Sequence, residues 1–147
     1  MEKTAKTNIN MKCRKWGKLI SGDVYEFGGV TLCEDCYVDE VIASLTGVDL
    51  TLIVTEPTMS GLHDLERILD VTRHFGIGSV VCINKYDINE ENSRRITNFC
   101  WQRGIEVVGN IPYDSVVTEA MVAGKPVIEF SEGWVSDAIK NVWEGIK

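Results

Sequence analysis

Hydrophobic positions along this chain keep two different spacings, and the change from one to the other marks where elements begin and end. Val38, Val41, Ile42 and Leu45 recur at helical spacing, and Gly47 is placed to end that helix. Asp49 to Thr55 is then a nearly continuous apolar run, the pattern of a parallel strand covered on both faces. Leu62, Leu65, Ile68, Leu69 and Phe75 form the apolar stripe of the next helix, with Ser60 as its cap and Gly76 closing it. Ser79 to Asn84 predicts a second strand. Asn89, Glu90 and Glu91 open a helix that buries Ile96, Phe99 and Cys100 and stops at Gly104; the acids suit the positive end of its dipole. Ile105 to Ile111 predicts a third strand, and Asp114 or Ser115 caps a short helix ending at Gly124. Ser131 is expected to cap a last helix, with Val135, Ala138, Ile139, Val142 and Ile146 on one face.

Strands alternating with helices of this length predict right-handed crossovers and an α/β fold, a parallel sheet with flanking helices. Ligands of such sheets sit at the carboxyl ends of the strands. Glu56-Pro57-Thr58, Asn84-Lys85-Tyr86-Asp87 and Pro112-Tyr113-Asp114 all fall on that edge. The second cluster fits N-K-x-D. There the Asp carboxylate accepts from the two adjacent N–H donors of guanine, the Asn amide contacts the base and the Lys stem stacks along it. Adenine lacks the paired donors, so the motif leaves the base open; the plainer reading is a turn with an Asp–Lys pair. Glu56 to Asp64 reads as a nucleotide-sensing loop or as an ordinary capped turn between strand and helix. His63 reads as a surface histidine, and His74 as a favourable charge near a helix C-terminus.

The first forty residues follow neither period. Residues 1–12 read as a disordered lead and residues 13–40 as a small Cys-rich module with short β-like runs, Lys18 to Ile20 and Val24 to Phe27. Structural zinc sites take four tetrahedral ligands, usually from two C-x-x-C pairs. Here Cys33-x-x-Cys36 is intact, whereas Cys13-Arg14-Lys15 is followed by Trp16 where a cysteine would sit, and Gly17 keeps the tight turn. Cys13, Cys33 and Cys36 with water, or with a carboxylate such as Asp35 or Asp23, are one possible zinc site; three free thiols are the alternative. An iron–sulfur cluster normally takes four thiolates. Cys82 and Cys100 lie in apolar patterns and read as small buried hydrophobes.

Composition narrows the picture. At 147 residues and 44% apolar, the chain is one domain, or one domain plus a small module. No apolar run approaches the roughly 18–20 residues of a membrane span. The lysine-bearing start has no apolar stretch behind it, so no secretory signal is expected. Five cysteines without such a signal point to a reducing compartment, the cytoplasm. Residues 1–20 carry a net +5 and the rest −12, and so acidic a body argues against nucleic acid as the partner.

At these residues the chain resembles a known family. Residues 42–130 resemble the C-terminal half of the MinD/ParA-type P-loop ATPases, especially the subgroup with an inserted ferredoxin domain. The segments are Val41 to Asp49, Val54-Thr-Glu-Pro-Thr58 with Ser60-Gly-Leu-His-Asp64, Ile83-Asn-Lys-Tyr-Asp87 and Gly109-Asn-Ile-Pro-Tyr-Asp114, continued by Ala120 and Gly124-Lys-Pro-Val127. The resemblance implies a MinD-like nucleotide-binding half-domain over residues 41–147. It also implies ATP and Mg²⁺ as ligands held between two subunits, with Asn84 and Pro112 as base contacts and Lys85, Asp87 and Tyr113 beside them. No window of the 147 residues fits G-x-x-x-x-G-K-[ST]: Gly28-Gly29 is followed by Val30-Thr31, and Gly124-Lys125 by Pro126. The D-x-P-P-G stretch and the ferredoxin cysteines are absent too. Leu32 to Tyr37 resembles small zinc-finger modules of the LIM or treble-clef kind, with a join near Asp39-Glu40.

The expectation is therefore a truncated MinD-type nucleotide (ATP) binding protein, of an ATPase family, that does not hydrolyse nucleotide alone. The alternative is a zinc-binding interaction or regulatory module that uses the α/β half as a docking surface; a third is a gene remnant without selected activity. In the complete fold the strand over residues 50–55 lies beside the P-loop strand. Its open edge here predicts a homodimer, a partner chain or marginal stability.

Overall fold

The computed structural model of the chain describes residues 11–21, 24–27 and 30–147. The expected disordered lead lies outside the described residues except for Met11 and Lys12, as do Asp23 and the Gly28-Gly29 pair. The chain divides into two compact units, Met1–Val48 and Asp49–Lys147.

In the first unit, β1 (Tyr25–Phe27) pairs antiparallel with β2 (Val30–Leu32), and α1 (Glu34–Leu45) follows at once. Upstream, Lys12 pairs with Leu19 across a tight turn in which the Gly17 N–H donates to the Cys13 carbonyl at 2.7 Å. Gly17 has φ 64°, a conformation that costs a residue with a Cβ, so the turn requires it. The Arg14 N–H donates to the Thr31 carbonyl at 3.0 Å and ties this turn to β2. Tyr25 and Tyr37 stack at 4.8 Å, and Leu32, Val41 and Leu45 are buried in the same unit. One continuous helix thus crosses Asp39-Glu40, where the sequence suggests a join, and Gly47 with φ 79° follows its end.

The second unit alternates as its periodicity predicts. Its elements are β3 (Leu50–Thr55), α2 (Met59–His74), β4 (Gly78–Asn84), a 3₁₀ turn (Tyr86–Ile88), α3 (Glu90–Gln102), β5 (Glu106–Ile111), α4 (Ser115–Val122), α5 (Val127–Phe130) and α6 (Trp134–Gly145). The three strands form one parallel sheet in the order β3-β4-β5. Ile53, Val81 and Ile83 meet Leu65 and Leu69 of α2 and Ile96 and Cys100 of α3 in the main core. Burying each large side chain there contributes about 1.5–3 kcal/mol. On β5, the register passes from Val81 opposite Val107 to Cys82 opposite Gly109 through a bulge, and α6 packs against that strand. A Cβ on Gly109 would stand 2.4 Å from Val142 Cγ2, so the helix can approach only because the residue is glycine.

Four local expectations need correction. Thr58, not Ser60, caps α2: its hydroxyl accepts from the Gly61 N–H at 2.8 Å, while the Ser60 hydroxyl is buried without a hydrogen-bond partner. The extended backbone of Thr58 aims its side chain at the first turn. Ser131 ends α5 rather than starting α6, and its carbonyl accepts from the Ser136 hydroxyl at 2.6 Å. Phe75 lies past the end of α2 and is exposed. β3 is covered on one face only: Ile53 and Thr55 are buried, while Leu50, Leu52 and Val54 are 42%, 37% and 54% exposed. No helix among the described residues is long and apolar enough to cross a membrane.

Candidate functional site

The three strand ends of the second unit converge on a network of polar contacts. β4 ends at Asn84, and Lys85 beyond it has φ 53°, the only non-glycine in the left-handed region among the described residues. Such a conformation costs about 1–3 kcal/mol and persists where the surroundings enforce it. Here the Lys85 ammonium bridges to the Glu56 carboxylate at the end of β3, 2.8 Å away. Asp87, in the following 3₁₀ turn, accepts from the backbone N–H of Tyr113 beyond β5 at 2.7 Å. The first turn of α3 adds two more ties. The Asn92 side-chain amide donates to the Pro57 carbonyl at 3.2 Å, and the Ser93 hydroxyl donates to the Tyr86 carbonyl at 2.7 Å.

Two local features of the sequence set up this arrangement. Asn89 caps α3 by accepting from the Asn92 N–H at 3.0 Å, which sets the first turn against the strand-end loops. Gly61 allows the β3–α2 turn to close, since a Cβ there would lie 2.4 Å from the Glu56 carbonyl oxygen. Of the sequence-predicted site residues, Lys85, Asp87 and Tyr113 are linked as described. Asn84 and Pro112 are half-buried at the ends of β4 and β5 on the same edge, and the Tyr113 side chain is exposed. Asn92 and Ser93 were not singled out from sequence. The signal that finds them is their place in the first turn after the Asn89 cap. His63 is exposed on α2, 3.8 Å from Asp64, and His74 ends the same helix.

The first unit carries a separate cluster. Cys13 follows the Lys12–Leu19 pairing, Cys33 is the N-cap of α1, and Cys36 lies in its first turn. Their three sulfurs all lie within 4.8 Å of one another. Cys13 and Cys36 are buried and Cys33 is half-buried. The Cys13 thiol is lowered to about 6, first because the backbone N–H of Cys33 serves its thiolate, with Lys15, Trp16 and the Cys36 thiol adding donors. Cys36 is pushed up to about 12, first by burial and then by its contacts with Cys33 and Cys13. Three sulfurs gathered this closely are a soft ligand set that a metal ion would complete by displacing protons. The Asp35 carboxylate expected as a ligand does not join the three sulfurs. It stands on the exposed side of α1, whereas Cys36 faces inward one position later. Asp23 lies outside the described residues.

No family model matches the chain. It is 28% identical over 130 residues to the uncharacterized protein MJ0579 of Methanocaldococcus jannaschii, covering 84% of this chain and 44% of that one. It is 34% identical over 82 residues to an uncharacterized ATP-binding protein of the same organism, MJ0823, covering 54% of this chain and 31% of that one. The chain thus spans less than half the length of these curated relatives. Among solved structures, the Pyrococcus furiosus cell division ATPase MinD matches with a TM-score of 0.61 at 22% identity, over 74% of this chain and 46% of that one. MinD from Pyrococcus horikoshii, solved with Mg-ADP, matches with a TM-score of 0.57 at 18% identity, over 84% and 67%. A MinC:MinD complex of Aquifex aeolicus matches with a TM-score of 0.58 at 20% identity, over 67% and 42%. The fold is MinD-like: α/β, with a parallel three-stranded sheet and flanking helices, and a three-cysteine cluster accompanies it.

Proposed function

We propose that this chain, MinD-like in fold, binds an adenine nucleotide at the carboxyl edge of its sheet and needs another chain to act on the phosphates. The observation that carries the reading is the linked strand-end network Glu56–Lys85 and Asp87–Tyr113. Lys85, Asp87 and the Tyr113 backbone take part in it, and Asn84 and Pro112, also expected around the base, lie at the ends of the same strands. Asp87 accepts from the Tyr113 N–H through one carboxylate oxygen, so it positions the loop beyond β5. The likeness to a relative named as ATP-binding and to a MinD solved with Mg-ADP supports adenine.

The polar strand ends support a base site, and the sequence offers no counterpart for the phosphates. Phosphates and Mg²⁺ are cradled by a glycine-rich loop with its Lys and Ser or Thr, and no window of these 147 residues supplies one. Phosphoryl transfer, which rests on positioning and charge stabilisation, therefore requires that loop from a different chain. The exposed face of β3 marks the side on which such a chain would add. Five free cysteines support a cytoplasmic setting. A thermal-shift titration with Mg·ATP and Mg·GTP tests the reading. ATP at about 100 times its Kd stabilises by about 2.7 kcal/mol, several degrees at this size. A shift with GTP alone, or none with ATP up to millimolar concentration, overturns it. Hydrolysis by the purified chain above background overturns the need for a partner.

The cysteine triad favours a second activity in the first unit, binding of zinc by Cys13, Cys33 and Cys36. Zinc would supply cross-linking of the knuckle-like turn to α1, joining pieces that otherwise share a core of few side chains. Metal analysis of the wild-type chain against Cys33→Ser tests it: one equivalent in the first and a large loss in the second are expected.

A further inference from the structure

A cavity of about 530 Å³ opens beside the three sulfurs, with Cys13, Cys33 and Cys36 in its wall. Trp16, Lys18, Leu19 and Ile20 line it from the turn, and Glu34 and Asp35 from the start of α1. Zinc bonded to sulfur at about 2.3 Å in a tetrahedron sets its sulfurs about 3.8 Å apart. Sulfurs already within 4.8 Å of one another need only small side-chain rotations to reach that spacing. Among the described residues no imidazole, carboxylate or further thiol joins the three. Trp16, in the place of a fourth cysteine, is 65% exposed and has no lone pair to give a metal. Structural zinc sites close with four protein ligands, whereas sites that exchange a ligand keep three and leave one position open.

We propose that Cys13, Cys33 and Cys36 hold a zinc-class divalent ion whose fourth position opens on this cavity and takes a thiolate from outside the chain. The inference rests on the metal-binding reading above. Three thiolates make a soft centre that favours a fourth sulfur over a hard oxygen ligand. The Lys18 ammonium and the N-terminal end of α1 favour the negative charge of the incoming sulfur. Leu19, Ile20 and Trp16 give its carbon body an apolar surface, and Glu34 and Asp35 disfavour ligands with further negative charge. The exchange is balanced without an oxidant or reductant. A sulfur–metal bond forms, a water molecule leaves the metal, and the thiol proton passes to solvent.

The test uses the full chain, kept reduced by a phosphine rather than a thiol, loaded with Co²⁺ and titrated with 2-mercaptoethanol. The expected result is one tetrahedral Co²⁺ per chain, whose sulfur-to-cobalt absorption rises by about one third as three sulfurs become four. Trp16→Cys supplies the fourth sulfur itself and is expected to show the full intensity without added thiol, and no further response. A wild-type chain that binds Co²⁺ but ignores the thiol overturns the proposal and leaves the metal-binding reading standing. So does a monomer that shows four-sulfur intensity before any thiol is added. Failure to retain Co²⁺ overturns both. Light scattering separates the sources of the thiolate. A thiol-responsive monomer assigns it to a small molecule, and a metal-dependent dimer with four-sulfur intensity assigns it to a cysteine of another chain.

Discussion

Single residues decide how closely the elements approach. Gly109 lets α6 lie on β5, and Gly109→Ala would drive a methyl into Val142 Cγ2. Overpacking of this kind costs about 1–3 kcal/mol. The variant should melt several degrees below wild type, and Gly109→Ala with Val142→Ala should recover part of that loss if the clash is the cause. Equal losses in the single and double variants would refute the contact. Cys82 and Cys100 act through their protonation. Burial pushes both thiols up to about 11 from an ordinary 9.0. Between those values the folded chain keeps protons that the unfolded chain has shed. Their stabilisation is complete below pH 9 and is lost as pH rises through 11, by about 2–3 kcal/mol for each thiol. Chemical unfolding from pH 8 to 11 should show a shallower fall for Cys82→Ala/Cys100→Ala than for wild type, whatever the variant's lower starting stability.

At the scale of elements, caps and strand ends carry the information. Thr58→Ala removes the hydroxyl that accepts the Gly61 N–H and should cost about 1 kcal/mol, while Ser60→Ala should cost less because its hydroxyl makes no hydrogen bond. Thermal unfolding of the two variants side by side checks the order. The sequence around residues 58–61 offers two good capping residues, and periodicity cannot choose between them. The close packing of Gly61 on the Glu56 carbonyl chooses, because it fixes the turn and hence which side chain reaches a free N–H. Strand ends were easier to read. The apolar runs into Thr55, Asn84 and Ile111 stop at polar clusters, and parallel topology brings all three to one edge. The particular links, Lys85 to Glu56 and Asp87 to the Tyr113 N–H, span 29 and 26 residues and left no local trace.

At the scale of the whole molecule, one face of β3 is exposed among the described residues. Leu50, Leu52 and Val54 are exposed on β3, which is an edge strand of the three-stranded sheet among the described residues. Such an edge invites pairing with another chain. Wild-type protein should associate at tens of micromolar or above, and Val54→Lys should shift it toward monomer with its far-UV spectrum unchanged. Light scattering across a concentration series checks this, and a wild-type chain that stays monomeric throughout would refute it. The apolar run over Asp49 to Thr55 is the pattern of a strand covered twice, and among the described residues Leu50, Leu52 and Val54 stay exposed on one of its faces. Association through that face is the outcome the concentration series tests.

What the amino-acid order determined by itself is the alternation of strand and helix, the glycines that end helices, the polar edge and the three cysteines that stand apart from the apolar pattern. These are legible because each rests on local physics: side-chain period, dihedral preference and the chemistry of neighbouring residues. Tertiary structure alone decided which serine or threonine caps a helix, that Asp87 holds a backbone N–H beyond β5, that one face of β3 lies bare, and that the three sulfurs gather beside an open cavity. Each of those depends on groups far apart in the chain meeting in space, and the free energy of such a meeting is set by the packing around it.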